Sequence, residues 1–195
     1  MYKIYDDLFA PKFMMDAHMA CLRLPWNFTN RSARTQYPGW CDTADGRGNR
    51  MFGCTTYERR SAFHIENSTP NMFLDALEWF FVEQIGNDEI SKHSLQLIDW
   101  NLQVKGMDGG IHRDLYYKDH PNVTVLFYTH HEWKEEWGGE LLIYDDNQQN
   151  VIDKISPLPG RMVYLDSNCW HQALAPNVPN IPRMSCAYRL IRIAN

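Results

Sequence analysis

The sequence has no Cys-x-x-Cys pair, and its five cysteines, Cys21, Cys41, Cys54, Cys169 and Cys186, are an odd number. That speaks against a disulfide framework and against a cysteine-built zinc site, and leaves reduced, mostly buried thiols as the expectation. No run of 18 apolar residues is present, so no segment is expected to span a membrane. The opening MYKIYDDLFAPKF lacks the apolar stretch of a secretory signal, which makes the cytoplasm the expected location. The Asn-x-Ser/Thr triplets at Asn27, Asn30, Asn67 and Asn122 then carry no glycosylation meaning. Basic charge is also short: 19 Lys and Arg stand against 24 Asp and Glu, a net charge of -5. A dedicated nucleic-acid binder usually carries a basic surplus, so that class is disfavoured, although a local basic strip is still possible. Internal repeats and low-complexity segments are absent.

What is present fits one globular domain. The 195 residues suffice for a sizeable core, and 44% hydrophobic with 22% charged residues is ordinary globular composition. Aromatics reach 13%, with seven Trp, which suits a sheet core better than a helical bundle. Tyr2 to Tyr5 reads as a strand and Pro11 to Leu22 as an amphipathic helix carrying Phe13, Met14, Ala17, Ala20 and Cys21 near one face. From Pro25 to Ser61 periodicity dissolves among Gly39, Gly46, Gly48 and Gly53, and this stretch is expected to be a long binding loop. Ser68-Thr69-Pro70 signals a helix start, and Phe73, Leu77, Phe80 and Phe81 fall at helical spacing through Ile85.

Beyond Ser94 the pattern changes to short strands. They are expected at Leu95–Val104, Val123–Tyr128, Glu140–Tyr144, Met162–Leu165, His171–Leu174 and Arg183–Ile193. Strands separated by Gly, Pro and Asn turns, without intervening helices, predict a mainly β jelly roll with the N-terminal helices on one outer face.

Within that frame, His112 and Asp114 stand two apart. On a strand, i and i+2 project to one face, so both can reach a single metal. A third ligand must come from elsewhere, and His171, on a later strand, supplies it. Two imidazoles and one carboxylate occupy one face of an octahedron and leave three positions open, the arrangement used by non-haem Fe(II). On spacing alone, three unrelated polar residues, with Asp114 in a turn and His171 in the core, are an equal alternative. His130 and His131, beside Glu132, read as a polar loop, and His18, His64, His93 and His120 as structural or surface residues.

Arg183 and Ser185 share one face of the last strand, and a guanidinium fork beside a hydroxyl makes a carboxylate clamp. Arg189, six residues on, has the same parity. Read alone, Arg183 is better explained as an edge-strand charge facing solvent. Asn101 and Gln103 are polar on an otherwise apolar strand and share a parity, which suits a cavity lining.

Taken together, these blocks resemble the Fe(II)/2-oxoglutarate-dependent dioxygenases, especially their prolyl 4-hydroxylase-like branch. The resemblance rests on His112-x-Asp114, the strand Asn122 to Tyr128, Trp137-Gly138-Gly139-Glu140 through Tyr144, Pro159-Gly160-Arg161 through Leu165, His171 and Arg183-x-Ser185, in that order. The opening Tyr5-Asp6-Asp7-Leu8-Phe9-Ala10-Pro11 before a helix is also similar, and only Trp26 to Ser61 lacks a counterpart. The resemblance implies a double-stranded β-helix over 94-195, supported by helices and a substrate loop within 1-93, in one domain 1-195. It implies Fe(II) held by His112, Asp114 and His171, with 2-oxoglutarate, O2 and optionally ascorbate as reductant. Arg183, Ser185, Tyr128, Asn101, Gln103 and Arg189 are the implied co-substrate contacts. The twelve residues from His171 to Arg183 exceed the branch's usual spacing, because Pro176, Pro179 and Pro182 enlarge the loop.

Hydroxylation of a peptidyl proline or another amino-acid substrate, with release of succinate and CO2, is the implied reaction. The aromatics Trp26, Phe28, Tyr37, Trp40, Phe52 and Tyr57 and the arginines Arg31, Arg34, Arg47, Arg50, Arg59 and Arg60 could serve to read a substrate, or form a solvated loop. Arginine and aromatics together make stacking surfaces, so an oxidative nucleic-acid demethylase of the same superfamily is an alternative. A zinc hydrolase or a non-catalytic cupin-like metal binder are others. A peptide or small molecule is the expected partner and nucleic acid a less favoured one. Oligomeric state is not legible.

Overall fold

The computed structural model describes residues 1–31, 50–59, 68–114, 122–166 and 168–193. In chain order the elements are β1 (Tyr2–Tyr5), α1 (Pro11–Cys21), β2 (Asn27–Arg31), β3 (Arg50–Glu58) and α2 (Asn71–Phe80). A π-helical turn, Phe81–Gly86, and a short α3 (Asn87–Ile90) follow. Then come β4 (His93–Gln103), β5 (Asn122–Tyr128), a 3-10 turn (Glu135–Trp137), β6 (Leu141–Tyr144), β7 (Val151–Ile155), β8 (Met162–Asp166), β9 (His171–Ala173) and β10 (Arg183–Arg192). The strands form a seven-stranded antiparallel sheet, β1-β8-β5-β10-β4-β3-β2, and a small sheet β7-β6-β9. An isolated bridge between His112 and His171 adds the triad's first segment to the small sheet. This is the expected jelly roll.

Strand alternation decides which residues meet which layer. Ile98 and Trp100 of β4, Val123, Val125 and Phe127 of β5, and Met184, Cys186, Tyr188 and Leu190 of β10 pack with Met14, Ala17, Phe73, Leu77 and Phe80 of the helices. The opposite parity of β5 and β10, Leu126, Tyr128 and Ala187, joins Leu141, Ile143 and Ile155 between the two sheets. One face of the large sheet therefore carries the helix-backed core, and the other looks onto the site.

Pro11 opens α1 where the missing amide costs nothing. Pro70 is the N-cap of α2, and Thr69 spends its hydroxyl on Thr56, 2.7 Å away, instead of capping the helix. Thr56 also accepts from the Trp100 indole at 2.8 Å, so the buried Trp100 is satisfied and fixed. The ring of Phe73 packs edge-on to it at 4.6 Å.

Some expectations change. The 25–61 stretch is not structureless, since β2 and β3 lie in it and extend the large sheet. Tyr37, Trp40, Arg34, Arg47, Arg60, His64 and His120 fall outside the described residues. His130 is buried, not part of a solvated loop. The strand β7 had no sequence signal, because it is an edge strand with a mostly exposed face and polar Asp153 and Lys154 in it. Among the described residues no helix is long and apolar enough to cross a membrane.

Candidate metal and co-substrate site

His112 and His171 face each other as a reciprocal backbone pair, each amide donating to the other's carbonyl at 2.9 Å. Their rings lie 4.3 Å apart, centroid to centroid. Asp114, two residues past His112, completes a cluster whose ligand atoms all fall within 4.8 Å of one another. The Nε2 atoms of His112 and His171 each stand 3.7 Å from an oxygen of Asp114.

Both rings are aimed by their own backbone. His112 Nδ1 meets the Gly110 carbonyl at 2.8 Å and His171 Nδ1 the Cys169 carbonyl at 3.0 Å. A carbonyl only accepts, so Nδ1 bears the proton and the Nε2 lone pair is left toward the cluster. Burial, then the neighbouring His171, pushes the His112 pKa down to about 4, which keeps its imidazole neutral at ordinary pH. At Asp114 burial acts upward, but Arg189, then His171 and His112, outweigh it and hold the carboxyl below the usual carboxylate range. Two imidazoles that turn Nε2 inward and an ionised carboxylate converging on one point fit a divalent first-row metal.

The clamp lies at one end of the large-sheet face that looks onto the triad. Gln103 pairs with Arg183, and Ser185 stands between Asn101 on one side and Tyr128 on the other. Arg183 is 1% exposed. It donates to the Gly139 carbonyl at 2.8 Å, to Gln103 Oε1 at 2.9 Å and to the Tyr128 hydroxyl at 3.2 Å. All three acceptors are neutral. Among the described residues the guanidinium's hydrogen bonds go to neutral groups, and the Glu140 carboxylate acts on it only through space. So buried a cation is costly unless an anion joins it directly, and the distal carboxylate of a 2-oxo acid is such an anion. The chain therefore fits the co-substrate as well as the metal.

Gln103 gives its amide hydrogens to the carbonyls of Met107, at 2.8 Å, and Ala173, at 3.0 Å. It thereby braces Arg183 against the strand that carries His171. Arg189 lies toward the opposite end of the row, paired with Asp114 and 3.6 Å from Asp99. Thr124 donates to the second oxygen of Asp114 at 2.8 Å. Asp99 and Thr124 were missed in the sequence reading, although parity marks both: Asp99 lies on the face of Asn101 and Gln103, and Thr124 on that of Tyr128.

Residues 101–188 match the model of the 2OG-Fe(II) oxygenase superfamily. The chain carries a 2OG-Fe(II) oxygenase core. The superfamily's Fe(II), 2-oxoglutarate and O2 are accordingly its cofactors, and it is a dioxygenase. No curated protein sequence matches the chain. Solved structures do, at low identity. A prolyl-4-hydroxylase from Pseudomonas putida superposes with a TM-score of 0.63 at 14% identity, over 100% of this chain and 93% of that one. A viral collagen prolyl hydroxylase from Paramecium Bursaria Chlorella virus-1, in its 2OG complex, gives 0.59 at 12%, over 98% and 96%. The epimerase SnoN from nogalamycin biosynthesis gives 0.61 at 10%, over 98% and 77%. At these identities the likeness is one of fold, and SnoN shows that this fold carries more than one chemistry.

Proposed function

We propose that this oxygenase hydroxylates an unactivated C–H bond of a peptidyl proline or another amino-acid substrate. In the overall reaction one oxygen atom of O2 enters the substrate as hydroxyl, and the other enters succinate as 2-oxoglutarate loses CO2. The observation that carries the co-substrate assignment is the buried Arg183, whose three acceptors are neutral, on the face of the large sheet that looks onto the triad. The amino-acid reading is supported by similarity to several prolyl hydroxylases, one of them from Trichoplax adhaerens in complex with a hypoxia inducible factor peptide fragment.

In this reading His112, Asp114 and His171 hold Fe(II), which when bound with 2-oxoglutarate supplies the activation of O2. The two imidazoles offer Nε2 because their Nδ1 protons are committed to carbonyls. Arg183, Ser185 and Tyr128 bind the distal carboxylate, Gln103 keeps the guanidinium from turning, and Asn101 lines the next position along β4. Aerobic succinate release from 2-oxoglutarate with Fe(II) tests the function, comparing the native protein with His112→Ala over a panel of prolyl and other peptides. Iron-dependent succinate release is expected only in the native protein and rises with the true substrate. Equal turnover in both proteins contradicts the assignment.

A further inference from the structure

On the sheet face beyond the clamp, Asp99 of β4 lies opposite Ala187 of β10, and Arg189 is two residues further along β10. Ala187 is too small to separate them, so a long side chain can span the diagonal between neighbouring strands. Arg189 Nε stands 3.6 Å from Asp99 Oδ2, and the same guanidinium reaches Asp114 Oδ1 through Nη1. The other oxygen of Asp99 accepts from Thr55 Oγ1 at 2.7 Å. One line of contacts thus runs Thr55, Asp99, Arg189, Asp114 across β3, β4, β10 and the segment of the triad. Exposure falls along it, from 17% for the Asp99 side chain to 16% for Arg189 and 8% for Asp114.

Two bulges flank this line. Register shifts fall between Thr55 and Tyr57 on β3 and between Arg189 and Leu190 on β10, where Gln96 is the extra residue on β4. Bulges bend a strand and re-aim side chains, and they recur beside active sites. Here the first turns Thr56 toward Trp100 and leaves Thr55 on Asp99.

We propose that Asp99 is a positioning residue for the metal site, acting through Arg189 on Asp114. The proposal rests on the reading of the triad as a metal site. Among the described residues Arg189 is shared between two carboxylates, and each limits how far its charge is committed to the other. With Asp99 in place, the guanidinium is drawn back along the sheet, and Asp114 keeps electron density and lone pairs for a divalent ion. With the Asp99 charge removed, the full cation turns on Asp114 and faces the metal position. Groups that orient a metal's ligands in this manner typically contribute roughly 10–100-fold to affinity.

The test is Co(II) affinity of the metal-free protein by calorimetry, with the visible absorption of bound Co(II) as a second readout. Asp99→Asn is expected to weaken Co(II) roughly tenfold and to shift the absorption bands. Asp99→Glu, which restores the charge, is expected to recover most of that loss. In an Arg189→Gln background, Asp99→Asn is expected to change the affinity less than about twofold. Thr55→Val, which only loosens Asp99, is expected to show a smaller loss of the same sign, and it keeps the test available if Asp99→Asn does not fold. The 2-oxoglutarate affinity of the Mn(II)-saturated Asp99→Asn protein is expected to stay within about twofold of native, which general damage would not spare. Native affinity in both Asp99→Asn and Thr55→Val, or the same loss with Arg189 replaced, overturns the proposal. Absence of Co(II) binding in the native protein instead overturns the metal-site reading beneath it.

Discussion

Arg183 owes its place to a glycine. Gly139, at φ +80°, presents its carbonyl to the guanidinium, and a Cβ there would stand 3.0 Å from Trp133 and 3.4 Å from Arg183 Cδ. Trp133 is itself fixed by donating its indole hydrogen to the Gly138 carbonyl at 3.1 Å, and it packs 4.3 Å from the buried His130 ring. His130 in turn accepts from the Met184 amide at 2.7 Å, so the shelf under the clamp has little freedom to yield. Gly138 also has positive φ, but the nearest atoms a Cβ there would meet belong to the Asn177 side chain, which would have to shift, and not to the guanidinium. Alanine at either position costs about 1–3 kcal/mol for its positive-φ backbone, or roughly 2–12 °C in a chain of this size. The two differ in what else they move. Gly139→Ala is expected to lower both Tm and 2-oxoglutarate affinity, and Gly138→Ala to lower Tm alone. Thermal melts and calorimetry with 2-oxoglutarate distinguish them, and equal 2-oxoglutarate affinities would contradict the shelf.

At the scale of elements, the strands were legible where one face is wholly apolar. β5 and β10 alternate between the helix-backed core and the site, and their bounds follow the sequence pattern to within a residue. β7 was not legible because an edge strand with an exposed face leaves no period of two. β3 was hidden by Gly53 and the bulge at Thr56, and β2 by the register shift between Asn27 and Asn30, all of which break alternation. At the site, His112, Asp114, His171 and Arg183 could be picked out by residue type. The partners that aim them could not, because the bonds of His112 and His171 go to backbone carbonyls and the Thr55–Asp99–Arg189 line needs three strands in register. In the helix layer Phe73 is tied to the large sheet twice. Its ring is fully buried against Trp100, and its carbonyl accepts from the Tyr188 hydroxyl at 2.8 Å. Phe73→Ala is expected to cost about 3–5 kcal/mol in urea unfolding, a large share of an ordinary domain's stability. A loss below about 1 kcal/mol would show that the helix layer does not rest on this ring.

Across the whole molecule, burial sets how the fold responds to acid. His18 in α1, His93 at the start of β4, His112 in the triad and His130 after β5 all have pKa values lowered, in each case chiefly by burial. In the unfolded chain these imidazoles take up a proton near pH 6.5. In the folded protein they resist it, His112 down to about 4. Between those values the unfolded chain binds more protons, so acid favours unfolding. The contribution of each histidine is complete above pH 6.5 and is lost as pH falls toward the folded value. The Asp114 carboxyl, held low mainly by Arg189 against the effect of burial, has the same sign lower on the scale and is lost only in stronger acid. Since these groups lie in the helix layer, the large sheet and the site, no single element absorbs the protonation, and unfolding is expected to remain cooperative. Tm of the metal-free protein is therefore expected to fall steadily from pH 7 to pH 4. His112→Gln is expected to flatten that slope, since it removes one titrating group, while Asp114 retains its partners Arg189 and Thr124. Melting curves at half-unit pH steps check both, and a Tm independent of pH between 7 and 5 would show that these histidines are not held neutral by the fold.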